Sequence, residues 1–261
     1  MTAFNVIILA GGEKGPLYEP TGYEEKALIP IHGKPMLSRV IECFHASGMV
    51  DNIVVAGSAN LDALEAMSLV RKRVFTGVNL VQNLLHAVAY VRHRLCSGDP
   101  NHNGYIISFC DAVFLTPQVV RHTLEEIARD PADIVLSYVE KSSFERAGLP
   151  AKRTYLPIAG MELTGGTIYY VRRFTPIVSM MPKLAQLRKH RKDPAKFLEA
   201  IGCRPEMDLA AVERTLSEQL DLRLRIHISP YAGLGMDVDK PSDLELAERI
   251  LGAEGAQGSV D

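Results

Sequence analysis

The chain has 261 residues, 47% of them apolar and 23% charged, with a net charge of −2 at neutral pH. That balance suits one large domain or two small ones with a sizeable core, and it gives no general pull toward nucleic acid or a membrane surface. No apolar stretch approaches the ~18 residues of a membrane span, and no basic leader precedes the first strand, so a cytoplasmic protein is expected. Cys43, Cys96, Cys110 and Cys203 are scattered without a C-x-x-C pair. They read as free thiols in a reducing compartment, ahead of zinc ligands or disulfides.

In chain order, the apolar and β-branched run 6–10 predicts a strand buried on both faces, ended by Gly11-Gly12. A polar loop of about twenty residues follows, long enough to be functional rather than a simple connection. After a second glycine turn, His32-Gly33-Lys34-Pro35, a helix is predicted over 36–44 and a strand over 52–56. Residues 61–67 predict a short helix and 73–75 an edge strand. From 78 to 95, Leu80, Leu84, Leu85, Val88, Val91 and Leu95 recur at helical spacing. A buried strand over 105–109, a helix over 117–128 and a strand over 133–139 complete an alternation that implies a mostly parallel sheet.

Past residue 139 the pattern loosens. Residues 140–163 predict a hairpin or excursion, 167–171 a strand, and 176–187 a helix kinked by Pro182. The basic stretch 183–196 continues helical, and Asp193-Pro194 restarts a helix at its first turn. Residues 222–228 predict a strand, and "GMDVDKPSDLELAERIL" a short strand running into a last helix. The expected organisation is a single domain over 1–251, elaborated at about 140–220, with a disordered tail at 252–261.

Three places can hold chemistry. The Gly11-Gly12 turn exposes N–H groups suited to phosphate oxygens. It is no dinucleotide fingerprint, because Pro16 and Pro20 block an immediate helix and the second strand ends "VVAGSA" without an acid. No G-K-[ST] occurs, so a Walker loop is excluded. Asp111 follows "YIISFC" at a strand tip, where a carboxylate can hold a divalent cation beside phosphates, or merely shape a turn. Asp237 and Asp239 stand at the strand-to-helix junction before the last helix, where Asp239 taken alone reads first as a cap and together with Asp111 as part of a converging set. His86 and His93 on one predicted helix read as surface or core side chains rather than ligands.

Together these segments resemble the nucleotidyltransferase (NTP transferase) superfamily. "ILAGG…EKALIPIHGKPML" is similar to its L-A-G-G-x-G-x-R…P-K-x-L…G-K-P-M-L signature, "SFCDAVFLTPQVV" to its D-x-P-F-L-T-P segment, and "GMDVDKPSDLELAE" to its closing D-I-D-T-P-E-D-L. "GVNLVQNLLHAV" and "TGGTIYYV" fall in family order between them, so the resemblance spans about 4–250. The nearest branch resembles molybdenum cofactor guanylyltransferase and cytidylyltransferases.

The resemblance implies a three-layer α/β/α, nucleotide-diphospho-sugar transferase-like fold. It implies nucleotide binding by Leu9, Ala10, Gly11, Gly12, Lys14, Lys26, Gly77 and Asn83, and Mg2+ held by Asp111 and Asp239. Lys26 and Asp111 are the expected catalytic groups, and Arg153, Gly165 and Gly166 the expected acceptor side. Cations at 183–196 and at Lys152 and Arg153 are either a wall for an anionic acceptor or a solvated face. The implied partners are an NTP, CTP or GTP favoured, and a small anionic acceptor, in a monomer or homodimer. Extra charge on the α-phosphate is what a metal and a lysine can stabilise. The chain departs from the signature in having Lys14 near the arginine position, Glu13 beside it, and Val113 where proline is usual. Two rivals remain: a nucleotide-binding module weakened in catalysis, and a glycosyltransferase, against which the acid in "CDAV" stands alone rather than as D-x-D.

Overall fold

The computed structural model describes residues 3–11, 15–75, 80–96, 104–150, 152–172, 190 and 193–257. By contact the chain divides into two compact units, one of 1–124 with 236–261 and one of 125–235. The architecture is α/β with a mostly parallel sheet and flanking helices.

In the first unit, β1 (Phe4–Leu9), β4 (Val50–Ala56), β5 (Lys72–Val74) and β6 (Tyr105–Phe109) run parallel in the order β6-β1-β4-β5. Ile7 of β1 pairs with Val54 on one side and Ile107 on the other. Val6, Ile7 and Ile8 are fully buried, as a β-branched run covered on both faces must be. The long polar loop after β1 is not structureless. It contains α1 (Tyr18–Thr21) and a 3-10 turn, Lys26–Leu28. Gly22, at φ 73°, ends α1 in the left-handed region that glycine adopts without strain.

The short ribbon of β2 (Pro30–Ile31) and β3 (Lys34–Pro35) leads into α2 (Met36–Ala46), whose Met36, Leu37, Val40, Ile41 and Phe44 form its buried stripe. Residues predicted as a helix at 61–67 form 3-10 turns instead, Ala59–Ala63 and Glu65–Leu69, tighter winding suited to short connections. The helix predicted over 78–95 is α3 (Leu80–Tyr90), continued by a π-helical turn, Val91–Leu95. The strand expected within "GMDVDK" is absent. Met236 and Val238 are buried, but one bond, Val238 N–H to the Asp111 carbonyl at 3.2 Å, replaces a ladder.

α4 (Pro117–Arg129) starts in the first unit and ends in the second. The second unit pairs β7 (Ile134–Glu140) with β10 (Leu224–Ser229) in parallel and with β9 (Met161–Val171) antiparallel. The looser region 140–163 holds α5 (Lys141–Arg146) and a hairpin of β8 (Leu156–Ile158) with β9. Its two-residue turn, Ala159 at φ 54° and Gly160 at φ 73°, has the twist that joins adjacent strands tightly. α6 (Pro194–Ala200) starts at the predicted Asp193-Pro194 restart, with the Asp193 side chain accepting from the Lys196 N–H. α7 (Leu209–Leu220) was not anticipated. It packs Val212 into a core with Ile134, Leu163, Leu198 and Leu224.

In the first unit again, α8 (Pro241–Gln257) runs on into the segment expected to be a disordered tail, despite Gly252 and Gly255, which weaken a helix and are the reason a tail is expected there. All four cysteines are free. Among the described residues, no helix is long and apolar enough to cross a membrane. Of the predicted helix at 176–187 and the basic stretch beyond it, only residues 190 and 193–196 lie within the described part.

Candidate active site

Parallel strands bring their C-terminal ends to one edge, the edge where open α/β sheets bind ligands. β1 is clamped there from both sides: the Ala10 N–H donates to the Ala56 carbonyl at 2.8 Å, and the Cys110 N–H to the Leu9 carbonyl at 3.1 Å. Leu9 and Ala10 are buried, so only backbone is presented as the chain turns out at Gly11. Gly12, Lys14 and Gly77 lie outside the described residues. Asn83 is buried on α3, within the same unit.

Asp111 is the second residue after β6, following Cys110, whose N–H has bonded to Leu9, so the fold brings it to this edge. Its carbonyl accepts from the Val238 N–H, which draws 236–239 alongside. From the loop side comes Lys26. Its ammonium donates to Asp111 and, at 2.5 Å, to Asp239 Oδ1. The lysine and Asp239 are 213 positions apart in sequence. At the start of α8 the Asp243 carboxylate caps, with Oδ2 accepting from the N–H groups of Asp239 and Lys240 at 3.1 and 3.2 Å, the returning half of a capping box.

The charges are arranged unequally. The Asp111 side chain is 16% exposed and that of Asp239 67%. Burial pushes the Asp111 carboxyl above the usual carboxylate range. Lys26 opposes this, and the Asp237 and Asp239 carboxylates add to it. Burial pulls Lys26 down, but Asp111 and then Asp239 outweigh it and hold the ammonium above the usual lysine range. Burial also pushes the neighbouring Cys110 thiol up to about 12, which removes it as a nucleophile at neutral pH.

The donor set fits a small hard cation. Among the described residues, no group of three or more His, Cys, Asp or Glu is arranged to hold a metal ion. Mg2+ does not need one: it is commonly held by one or two carboxylates, with phosphates and water completing the shell. Asp111 and Asp239 converging on a single cationic nitrogen are such a pair.

Sequence reasoning missed a cluster beside Lys26. The Glu25 carboxylate accepts from the Ser58 hydroxyl, at 2.8 and 2.6 Å to its two oxygens, and from Asn60 Nδ2 at 2.6 Å. These are isolated polar residues on two loops, without periodicity or motif. The one available signal was Gly57-Ser58 at a strand's C-terminal end.

In the second unit, the Arg153 guanidinium stacks 5.6 Å from the Phe144 ring centroid. Phe144 meets Tyr155 edge-on at 6.4 Å, and the Lys141 ammonium sits 5.7 Å from the centroid of the Tyr155 ring. Gly165 and Gly166 lie on β9 opposite an irregularity in β7, Gly165 exposed and Gly166 buried. The structure thus joins Gly11's strand end, Lys26, Asp111 and Asp239 within one unit, and carries Arg153, Gly165 and Gly166 on the other.

A mostly parallel sheet with a lysine and two carboxylates converging at its strand ends is the frame in which the comparisons with known proteins fall. The description "MobA-like NTP transferase domain" matches residues 6–201, and the chain belongs to that family. It is a nucleotidyltransferase. It is 26% identical over 248 residues to 2-C-methyl-D-erythritol 4-phosphate cytidylyltransferase of Solibacter usitatus (strain Ellin6076), covering 93% of this chain and 91% of that one. Among solved structures, a hypothetical transferase from Thermus thermophilus superposes with TM-score 0.74 at 25% identity, over 93% of this chain and all of its own. A CMP:2-keto-3-deoxy-manno-octonic acid synthetase complexed with CTP superposes with TM-score 0.59 at 20% identity, over 97% of this chain and 100% of that one, a likeness of fold alone.

Proposed function

We propose that the protein transfers a nucleotidyl group from an NTP to a small phosphorylated or hydroxylated acceptor, with release of pyrophosphate. CTP and GTP are the favoured donors. CTP has the added support of the relative named as a cytidylyltransferase, whose named substrate is a phosphorylated alcohol. The four free thiols suit a reducing, cytoplasmic setting. The observation that carries the reading is the convergence of Asp111, Asp239 and Lys26 beside the Gly11 strand end.

In this reading Asp111 and Asp239 hold Mg2+, which when bound supplies Lewis-acid stabilisation of charge on the phosphates. Backbone N–H groups of the Gly11-Gly12 turn orient the phosphate oxygens, with Lys14 nearby as a cation. Lys26, released from its carboxylates when nucleotide arrives, places its ammonium on the transferring phosphate. Gly77 and Asn83 border the base, and Arg153 with the open face of Gly165, backed by the buried Gly166, meets the acceptor. The protein positions and stabilises charge, and it requires no covalent nucleophile.

The test presents the four NTPs with Mg2+ and a set of sugar-phosphate and polyol-phosphate acceptors, read by pyrophosphate release. Turnover with at least one pair, lost in a folded Asp111→Asn protein, supports the assignment. NTP binding without turnover on any acceptor points to the weakened nucleotide-binding module. Glycosyl transfer from a sugar nucleotide points to the glycosyltransferase. Full activity in Asp111→Asn overturns the site.

A further inference from the structure

We propose that Glu25 is the positioning residue for Lys26, a strap that fixes the lysine-bearing turn to the end of β4. This inference rests on the role given to Lys26 above. Lysine is a flexible four-carbon stem carrying a point charge, so where its ammonium goes depends on where its backbone is held. Here the backbone comes from a loop that has left the sheet. Glu25 precedes the Lys26–Leu28 turn with extended dihedrals, φ −117° and ψ 116°. In extended chain, successive side chains leave on opposite sides. Glu25 accordingly reaches Ser58 and Asn60, while Lys26 reaches Asp111 and Asp239.

The anchor is itself braced. Ser58 Oγ accepts from the Asn60 N–H at 3.2 Å and caps the 3-10 turn Ala59–Ala63, so both donors to Glu25 belong to one capped turn just beyond β4. Bonds to an ionised carboxylate are stronger than neutral ones. On the other side, the Glu25 carbonyl accepts from the Leu28 N–H at 3.0 Å and the Lys26 carbonyl from the Ile29 N–H at 3.2 Å. The turn therefore moves as a piece with its strap.

The experiment is a double-mutant cycle with a structural readout. Misplacing a catalytic group by ~1 Å can cost about 10²-fold. Glu25→Ala should therefore lower kcat by about 10- to 100-fold and leave the KM for NTP within about threefold. Glu25→Gln, which keeps an acceptor for Ser58, should recover most of the loss, and Ser58→Ala should reproduce part of it. In a Lys26→Ala background, Glu25→Ala should cost nothing further, because a residue acting through another is silent once that other is gone. Independently of turnover, hydrogen exchange at the Leu28 and Ile29 amides should quicken in Glu25→Ala and return in Glu25→Gln. An equal loss in both backgrounds, or unchanged exchange, overturns the strap. A Lys26→Ala protein with unimpaired kcat overturns the underlying catalytic role instead, whatever the exchange shows. Should Glu25→Ala not fold, Ser58→Ala in the two backgrounds decides the same question.

Discussion

Lys26 lies between two carboxylates of very different exposure, and that geometry bears on more than the phosphate contact proposed for it. Asp111 is half surrounded by other acids, since Asp237 and Asp239 both raise it, and a buried carboxylate in such company needs a nearby positive charge. The ammonium meets that need between the two carboxylates proposed to hold a divalent cation. Lysine and cation should then compete for one position. Lys26→Met removes the competitor, so Mn2+ titrated without nucleotide, followed by its paramagnetic signal, should bind more tightly to the variant than to wild type. Nucleotidyl transfer should fall by about 10²–10³, the usual loss when one charged stabiliser is removed. Equal or weaker Mn2+ affinity in Lys26→Met would mean that lysine and cation use separate positions. At this scale Lys26, Asp111 and Asp239 were legible because each sits at a strand end or signature segment. Glu25, Ser58 and Asn60 were not, because their meaning arises only when two loops far apart in sequence come together.

Along the elements, β9 carries two adjacent glycines with opposite surroundings. A Cβ on Gly166 would stand 3.0 Å from the Ser137 carbonyl oxygen and 3.2 Å from Leu234 Cγ, whereas on Gly165 its nearest neighbour would be the Tyr169 hydroxyl at 3.8 Å. Gly166 is therefore demanded by packing across the β7–β9 irregularity. Gly166→Ala should destabilise the protein by about 1–3 kcal/mol through overpacking, read as a lower urea midpoint. Gly165→Ala should leave that midpoint in place. If the acceptor passes over the exposed Gly165 face, the same variant should raise the KM for acceptor alone, and an unchanged KM removes Gly165 from the acceptor side. The buried parallel strands were legible because β-branched runs such as Val6-Ile7-Ile8 have few other uses. α7 was overlooked although Leu209, Val212, Leu216 and Leu220 recur at helical spacing behind the Asp208 cap, which accepts from the Ala211 N–H at 2.7 Å. The strand assigned to "GMDVDK" failed for the opposite reason: its alternating burial is real, but without a neighbouring ladder alternation does not make a strand.

Over the whole molecule, a net charge of −2 hides an uneven distribution. The acids of the candidate site belong to the unit that the chain re-enters at Met236, while Lys141, Arg146, Lys152 and Arg153 cluster in the other unit. Part of that positive charge is already engaged. Lys141 pairs with Glu162 at 2.7 Å, and Arg153 rests on the Phe144 ring. An anionic acceptor that uses Arg153 would meet it at an accessible surface, where charges are screened over about 8–10 Å at physiological salt. Its KM should rise with ionic strength more steeply than that of the NTP, which would be held in addition by metal and backbone N–H groups. Arg153→Glu should raise the acceptor KM by about tenfold or more, since replacing attraction by repulsion shifts binding by at least the ~1.4 kcal/mol of a tenfold change. The same change should leave the KM for NTP unaltered. Arg153→Lys keeps the charge but loses the planar stacking and forked donors, so an intermediate value is expected. Steady-state kinetics from about 50 to 300 mM salt, with NTP and acceptor varied in turn, separates these outcomes across the Debye range. Parallel salt slopes for both substrates, together with an unmoved acceptor KM in Arg153→Glu, would make Arg153 a packing residue of the Phe144–Tyr155 cluster and place acceptor recognition elsewhere.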